Sequence, residues 1–215
     1  MPLRVPVDEK GRFPVTINKE HTEWHCLVLR DELSLVEESK LWKALNKNRA
    51  NASSIEMYHA DIVSLEPWAL DVRRELQAAG WEIPRKSRRR VEGYGHVVAV
   101  STLKSIHSKI GREGLRQTIT IIRGAWGDLE DKRVHEADFL SAVSVIVSTE
   151  AFQKNPNEGT NTLITRLVKI PPSKLEKGAK LTYSQVRVSY RKCLATEIAK
   201  VYNKGLGRSR QIIIA

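Results

Sequence analysis

Val97 to Trp126 reads VVAVSTLKSIHSKIGREGLRQTITIIRGAW, and its apolar spacing decides the fold. Val97, Val100, Leu103, Ile106 and Ile110 recur every three or four residues, as one face of a helix does. Leu115, Ile119, Ile122 and Trp126 repeat the pattern beyond Gly111. The connection, Gly111 to Glu113, is so short that the two helices must lie against one another as a hairpin or helix-turn-helix. The second helix carries Arg112, Arg116, Gln117, Thr120 and Arg123 on its polar side. Arg and Gln are side chains that read guanine and adenine edges in a major groove. Arg112 departs from the usual motif, which places an apolar residue just after the turn glycine.

Working outward, helical patterns continue on both sides. Ser34 followed by Glu37 is a capping-box signature, and Leu35, Leu41, Trp42 and Leu45 mark the apolar face of a helix from Leu35 to Asn46. Asn51, Ser53 and Ser54 offer the next cap, with Ile55, Tyr58, Ile62 and Val63 at helical spacing behind it. Glu66 and Pro67 open a third helix that Gly80 closes. After the central pair, Phe139, Leu140, Val143, Ile146 and Val147 predict a core helix within Val134 to Glu150. Ala151 to Thr160, with Asn155, Pro156, Asn157 and Gly159, reads as a loop and as the internal boundary. A short helix, Asn161 to Lys169, and a long one, Tyr183 to Asn203, follow, and Ile212 to Ile214 should dock on the fold or on a partner.

The first thirty residues read differently. Arg4 to Val7, Phe13 to Asn18 and His25 to Leu29 are short β-branched or apolar runs divided by Gly11 and Pro14, enough for a small β element. The expected architecture is therefore mainly α: a multi-helix bundle with a helix-turn-helix-like pair, preceded by that β element. Its parts are an extended element over 1–30, a helical domain over 31–150 with a basic loop at 84–90, and a C-terminal helical segment with a flexible tail over 151–215.

Charge narrows the function. The chain has 36 Lys and Arg against 25 Asp and Glu, a balance of +11. Five of those cations, Arg85, Lys86, Arg88, Arg89 and Arg90, fall within six residues directly after Pro84. A run of that kind attracts phosphates by counterion release and has little sequence preference of its own. Setting the five aside still leaves +6, so the excess is spread over the molecule. A solvated loop that keeps the protein in solution is the plain alternative.

Enzyme chemistry finds little support. His21, His25 and Cys26 form one loose cluster near the expected strands, short of the four ligands of a zinc site, so no metal and no cofactor is expected. His25 and Cys26 are neighbours on a strand and point to opposite faces, which rules out a dyad. Gly205 to Arg208 has no helix after it to cradle a phosphate. Glu37 and Glu38 point about 100° apart on a helix and read as first-turn acids. Cys26 and Cys193 are the sole cysteines, with no disulfide framework, which fits a reducing cytoplasm. Residues Met1 to Arg12 have no apolar leader, and no stretch is long enough for a membrane span.

Three stretches resemble a known family. The segment Leu35-Val-Glu-Glu-Ser-Lys-Leu-Trp-Lys-Ala-Leu-Asn-Lys-Asn-Arg49, with Glu56, Ala60 and the Ala78-Ala-Gly-Trp81 stop, is similar to the helical region that follows the sheet in phage and bacterial ParB-like proteins. Gly114-Leu-Arg-Gln-Thr118 with Arg123-x-Ala-Trp126, and the closing Tyr202-Asn203-Lys204, continue it, so that it covers roughly residues 24 to 205. The resemblance implies a helical protein associated with DNA and encoded by phages or mobile elements, working in the cytoplasm of a bacterial host. It departs in the N-terminal ParB-type domain, whose Gly-x-x-Arg helix has no counterpart before Leu35. The family's nucleotide or nuclease chemistry is therefore assigned to no residue. The expectation is a non-catalytic DNA-binding accessory protein, with Arg85, Lys86, Arg88, Arg89 and Arg90 on phosphates and Arg112, Arg116, Gln117 and Arg123 adding groove contacts. The rival expectation is a module that binds a host protein or a second copy of itself.

Overall fold

A computed structural model describes residues 33–46, 53–85, 95–129, 131–186 and 188–214. The expected β element over 1–30, the cluster His21, His25 and Cys26, and the cations Lys86, Arg88, Arg89 and Arg90 lie outside the described residues. What is described is helical: α1 (Leu35–Asn46), α2 (Ser54–Val63), α3 (Pro67–Ala78), α4 (Val100–Trp126), α5 (Ala137–Val147), α6 (Glu150–Gln153), α7 (Pro156–Leu167), α8 (Pro172–Gln185) and α9 (Tyr190–Asn203).

Local chemistry sets the helix starts. Ser34 and Glu37 exchange hydrogen bonds at the head of α1, and Ser53 and Glu56 do the same at α2, each box satisfying amides the first turn leaves open. Pro67, Pro156 and Pro172 each occupy the first turn of their helix, where a missing N–H costs nothing. Lys43 fixes α1 on α2 by reaching the buried Asp61 at 2.5 Å and Glu66 at 2.8 Å.

The centre of the molecule is α4, which packs against α3, α5 and α7, while α9 packs on α5, α7 and α8. Leu103, Leu115, Ile121 and Ile122 of α4, Leu140, Val143 and Ile146 of α5, and Leu194 and Ile198 of α9 are fully buried between these layers. Trp126 closes the core: its indole N–H donates to the carbonyls of Leu167 (3.2 Å) and Ile170 (2.9 Å) at the end of α7. Ser34–Ala215 forms one unit.

The helix pair is present, but its junction is tighter than the sequence suggests. A single residue, Gly111 (φ 68°, ψ −176°), breaks α4, in place of a three-residue turn. Directly after it, a Cβ on Gly114 would fall 2.6 Å from the side chain of Ile110, so the two halves meet in close contact. The Gly111 conformation belongs to glycine alone. Gly111→Ala is therefore expected to destabilise by about 1–3 kcal/mol, measured by denaturant unfolding. The added Cβ would meet nothing within 4 Å, so the loss is a backbone effect.

Two further expectations are corrected. Ala151 to Thr160, read as a loop, is mostly α6 and α7, because Pro156 fits a first turn and Gly159 lets the ring of Phe152 lie on the helix backbone. The long helix Tyr183 to Asn203 is two helices, divided where Val186 turns extended (φ −121°, ψ 120°). At the C-terminus Ile212 is buried and Asn203 holds its backbone from both sides, accepting from its N–H at 2.7 Å and donating to its carbonyl at 2.8 Å.

Candidate nucleic-acid interface

The described ends of the basic run are tied down. Glu82 N–H donates to the Gly95 carbonyl at 2.8 Å, Val97 N–H donates to the Glu82 carbonyl at 2.8 Å, and the Glu82 carboxylate lies 3.6 Å from His96 Nε2. Trp81 and Val97, on either side of this bridge, are in the core. Gly80 and Gly95 both take positive φ, and a Cβ on Gly95 would press on the Gly80 carbonyl at 3.3 Å. The described flanks, up to Arg85 and from Gly95, thus meet at one place.

Beneath that place His135, 3% exposed, meets Trp81 edge-on with ring centroids 4.4 Å apart. Burial pushes the imidazole down to about 4. Between pH 6.5 and 4 the unfolded chain takes up a proton that the folded chain refuses, so stability is whole above pH 6.5 and falls through that window. Urea unfolding is expected to lose about 2 kcal/mol from pH 7 to pH 5 through this group, and His135→Gln to remove that part of the slope.

Alongside the bridge, α2, α3 and residues 81–85 enclose a cleft of about 700 Å³. Ile62, Leu76, Trp81 and Ile83 supply apolar lining, and Arg73 of α3 and Arg85, the first cation of the run, stand on it exposed. His59 Nε2 lies 3.1 Å from the Pro84 carbonyl, so that nitrogen carries the proton and donates. Tyr58 is pushed up to about 12 by burial and keeps its hydroxyl hydrogen. Two guanidiniums over an apolar floor suit an anion with an organic body.

Of the groove-reading residues, Gln117 is placed otherwise than expected. Gln117 is 7% exposed; its amide donates to Glu113 (3.1 Å) and its carbonyl accepts from Gln153 (3.4 Å), which withdraws it from any base edge. The cause is α6 and α7, which cover what looks in sequence like a polar face. Arg112 Nε donates to the buried Glu75 at 2.9 Å and lies 3.6 Å from Asp71. Arg116 grips Glu113 with two nitrogens, at 2.8 and 2.5 Å. Arg123 is exposed and folds over the backbone of Gly127. Of the described residues assigned to DNA, Arg85 lies on the cleft; Arg112 and Arg116 are exposed and paired with Glu75 and Glu113, and Gln117 is buried beside them.

Arg73 went unread in the sequence, where His59 reads as a lone histidine. Arg73 precedes Gln77 by four residues and Trp81 by eight, a spacing that puts it on the side of α3 from which the chain turns toward the basic run. Among the described residues no group of three or more His, Cys, Asp or Glu side chains is arranged to hold a metal ion, and no helix is long and apolar enough to cross a membrane. No protein-family model, no curated protein and no solved structure matches the chain.

Proposed function

We propose that the chain binds DNA through backbone phosphates, with the basic run as its main contact and Arg73 and Arg85 holding the strand at the adjoining cleft. The observation that carries this reading is the pinned base of the run. The run begins at Arg85, next to a bridge anchored by buried Trp81 and Val97 and on a cleft to which Arg73 adds one further guanidinium. Positive charge concentrated at one place on a folded surface gains affinity by releasing counterions from DNA. Arg112 and Arg116 already have carboxylate partners, and separating the Arg112–Glu75 pair would leave a buried carboxylate uncompensated. Binding is therefore weakly dependent on base sequence.

Kinship with the helical region of ParB-like proteins is part of the same proposal, and it is architectural: Trp81, Leu115, Trp126 and Tyr202, which carry the resemblance, are core residues. The rival, docking through the C-terminal isoleucines, loses ground because Ile212 is held by its own fold, although Ile213 stays exposed. The test is fluorescence anisotropy of the nuclease-treated full chain with a mixed-sequence duplex over a salt series. Affinity is expected to drop steeply as salt rises, with similar values for unrelated sequences. No binding at low salt would sink the reading and favour a protein partner.

A further inference from the structure

A second cavity, of about 720 Å³, lies between the first half of α4, α5 and the start of α9, on residues that the reading above does not use. Three cations line it, Lys109 from α4 and Arg191 and Lys192 from α9, and no carboxylate does. Neither lysine has an ion-pair partner among the described residues. Arg191 donates through Nε to Asp138 at 2.8 Å, which leaves the hydrogens of its two terminal nitrogens for another acceptor.

The walls between the cations are hydroxyls. Ser144 and Ser148 turn back on their own helix carbonyls, as helical serines commonly do. The hydroxyls of Ser101, Ser105, Ser141 and Ser189 do not: they line the cavity with no hydrogen-bond partner among the described residues. Neutral donors interleaved with cations match a group with several anionic oxygens, since hydroxyls satisfy lone pairs that the cations leave over. Val145, Ile110 and Ile214 supply apolar wall, and the volume far exceeds that of one tetrahedral anion.

We propose that this cavity is a binding site for a phosphate-bearing ligand, held by Lys109, Arg191 and Lys192 with the serine hydroxyls as additional donors. The same group is offered by a free nucleotide or by a single-stranded nucleic acid, and the site is independent of the basic run.

Titration calorimetry tests it on the full chain in which the five cations of the run are replaced by alanine, so that failure of the run as a DNA contact does not affect the result. The probes are ATP, pyrophosphate and a twelve-residue oligothymidylate. Lys109→Glu with Lys192→Glu is compared with Lys174→Glu with Lys177→Glu, a pair of the same charge change on exposed positions of α8 outside the cavity. The cavity pair is expected to weaken binding by about tenfold or more, and the α8 pair to leave it near the parent value. A third variant, Ser105→Leu, fills the cavity without altering charge and is expected to weaken binding as well. ATP or pyrophosphate binding that the cavity variants remove identifies a small phosphorylated ligand, and binding by the oligothymidylate alone identifies a strand. Equal loss in both charge pairs, no loss in the cavity pair, or no binding of any probe overturns the proposal.

Discussion

Replacing Arg85, Lys86, Arg88, Arg89 and Arg90 by alanine is expected to flatten the salt dependence of DNA binding. Each phosphate neutralised contributes about 0.9 to the slope of log affinity against log salt. Five such contacts make the parent roughly 500-fold weaker at 200 mM than at 50 mM salt. The five-site variant should lose most of that dependence and bind poorly at low salt, equally for unrelated duplexes, because phosphate contacts have no base preference. Gln117→Ala is the internal comparison: its amide faces Glu113 and Gln153, so DNA affinity should stay unchanged while stability falls. An unchanged slope in the five-site variant would remove the run from the interface.

Trp126→Ala is expected to have the largest effect on stability. The indole is 1% exposed, stands edge-on to Phe139 with centroids 5.5 Å apart, and bonds the last carbonyls of α7. Truncating a buried tryptophan costs about 3–5 kcal/mol. The Ile170 carbonyl, left without its donor, pushes the loss to the upper end of that range. For a chain of this size the thermal midpoint should fall by roughly 10 °C or more. Trp126→Phe should recover the ring contact and not the hydrogen bonds, giving an intermediate midpoint. Trp68→Ala should cost less, since that ring is half-buried and sits under Lys104 at 4.6 Å. A midpoint in Trp126→Ala within a degree or two of the parent would mean that Trp126 does not join α4 to α7.

The helices were largely legible because their signals are local. The serine–glutamate caps at Ser34 and Ser53 and the three-to-four spacing from Leu103 to Ile122 act within one or two turns, so the chain states them without help from distant residues. Gly80 and Gly111 were equally visible as stops, since glycine takes positive φ at little cost. Pro156 and Gly159 misled, because the same residues that punctuate loops also open a helix or admit a ring against its backbone. The candidate site was half legible: a run of cations needs no tertiary structure to be recognised, and Arg85 lies where that run meets the fold.

By itself, the sequence determined the mainly helical character of 34–215, the starts of α1 and α3, the break at Gly111 and the concentration of charge after Pro84. Only the tertiary structure decided which polar residues are covered or paired. Gln117 and Arg112 look alike in a helical pattern to Arg73 and Lys109, yet α6, α7 and α3 cover or pair the first two and leave the others on cavities. A helix fixes the direction of a side chain within its own turn; whether a carboxylate, another helix or water stands there depends on elements tens of residues away.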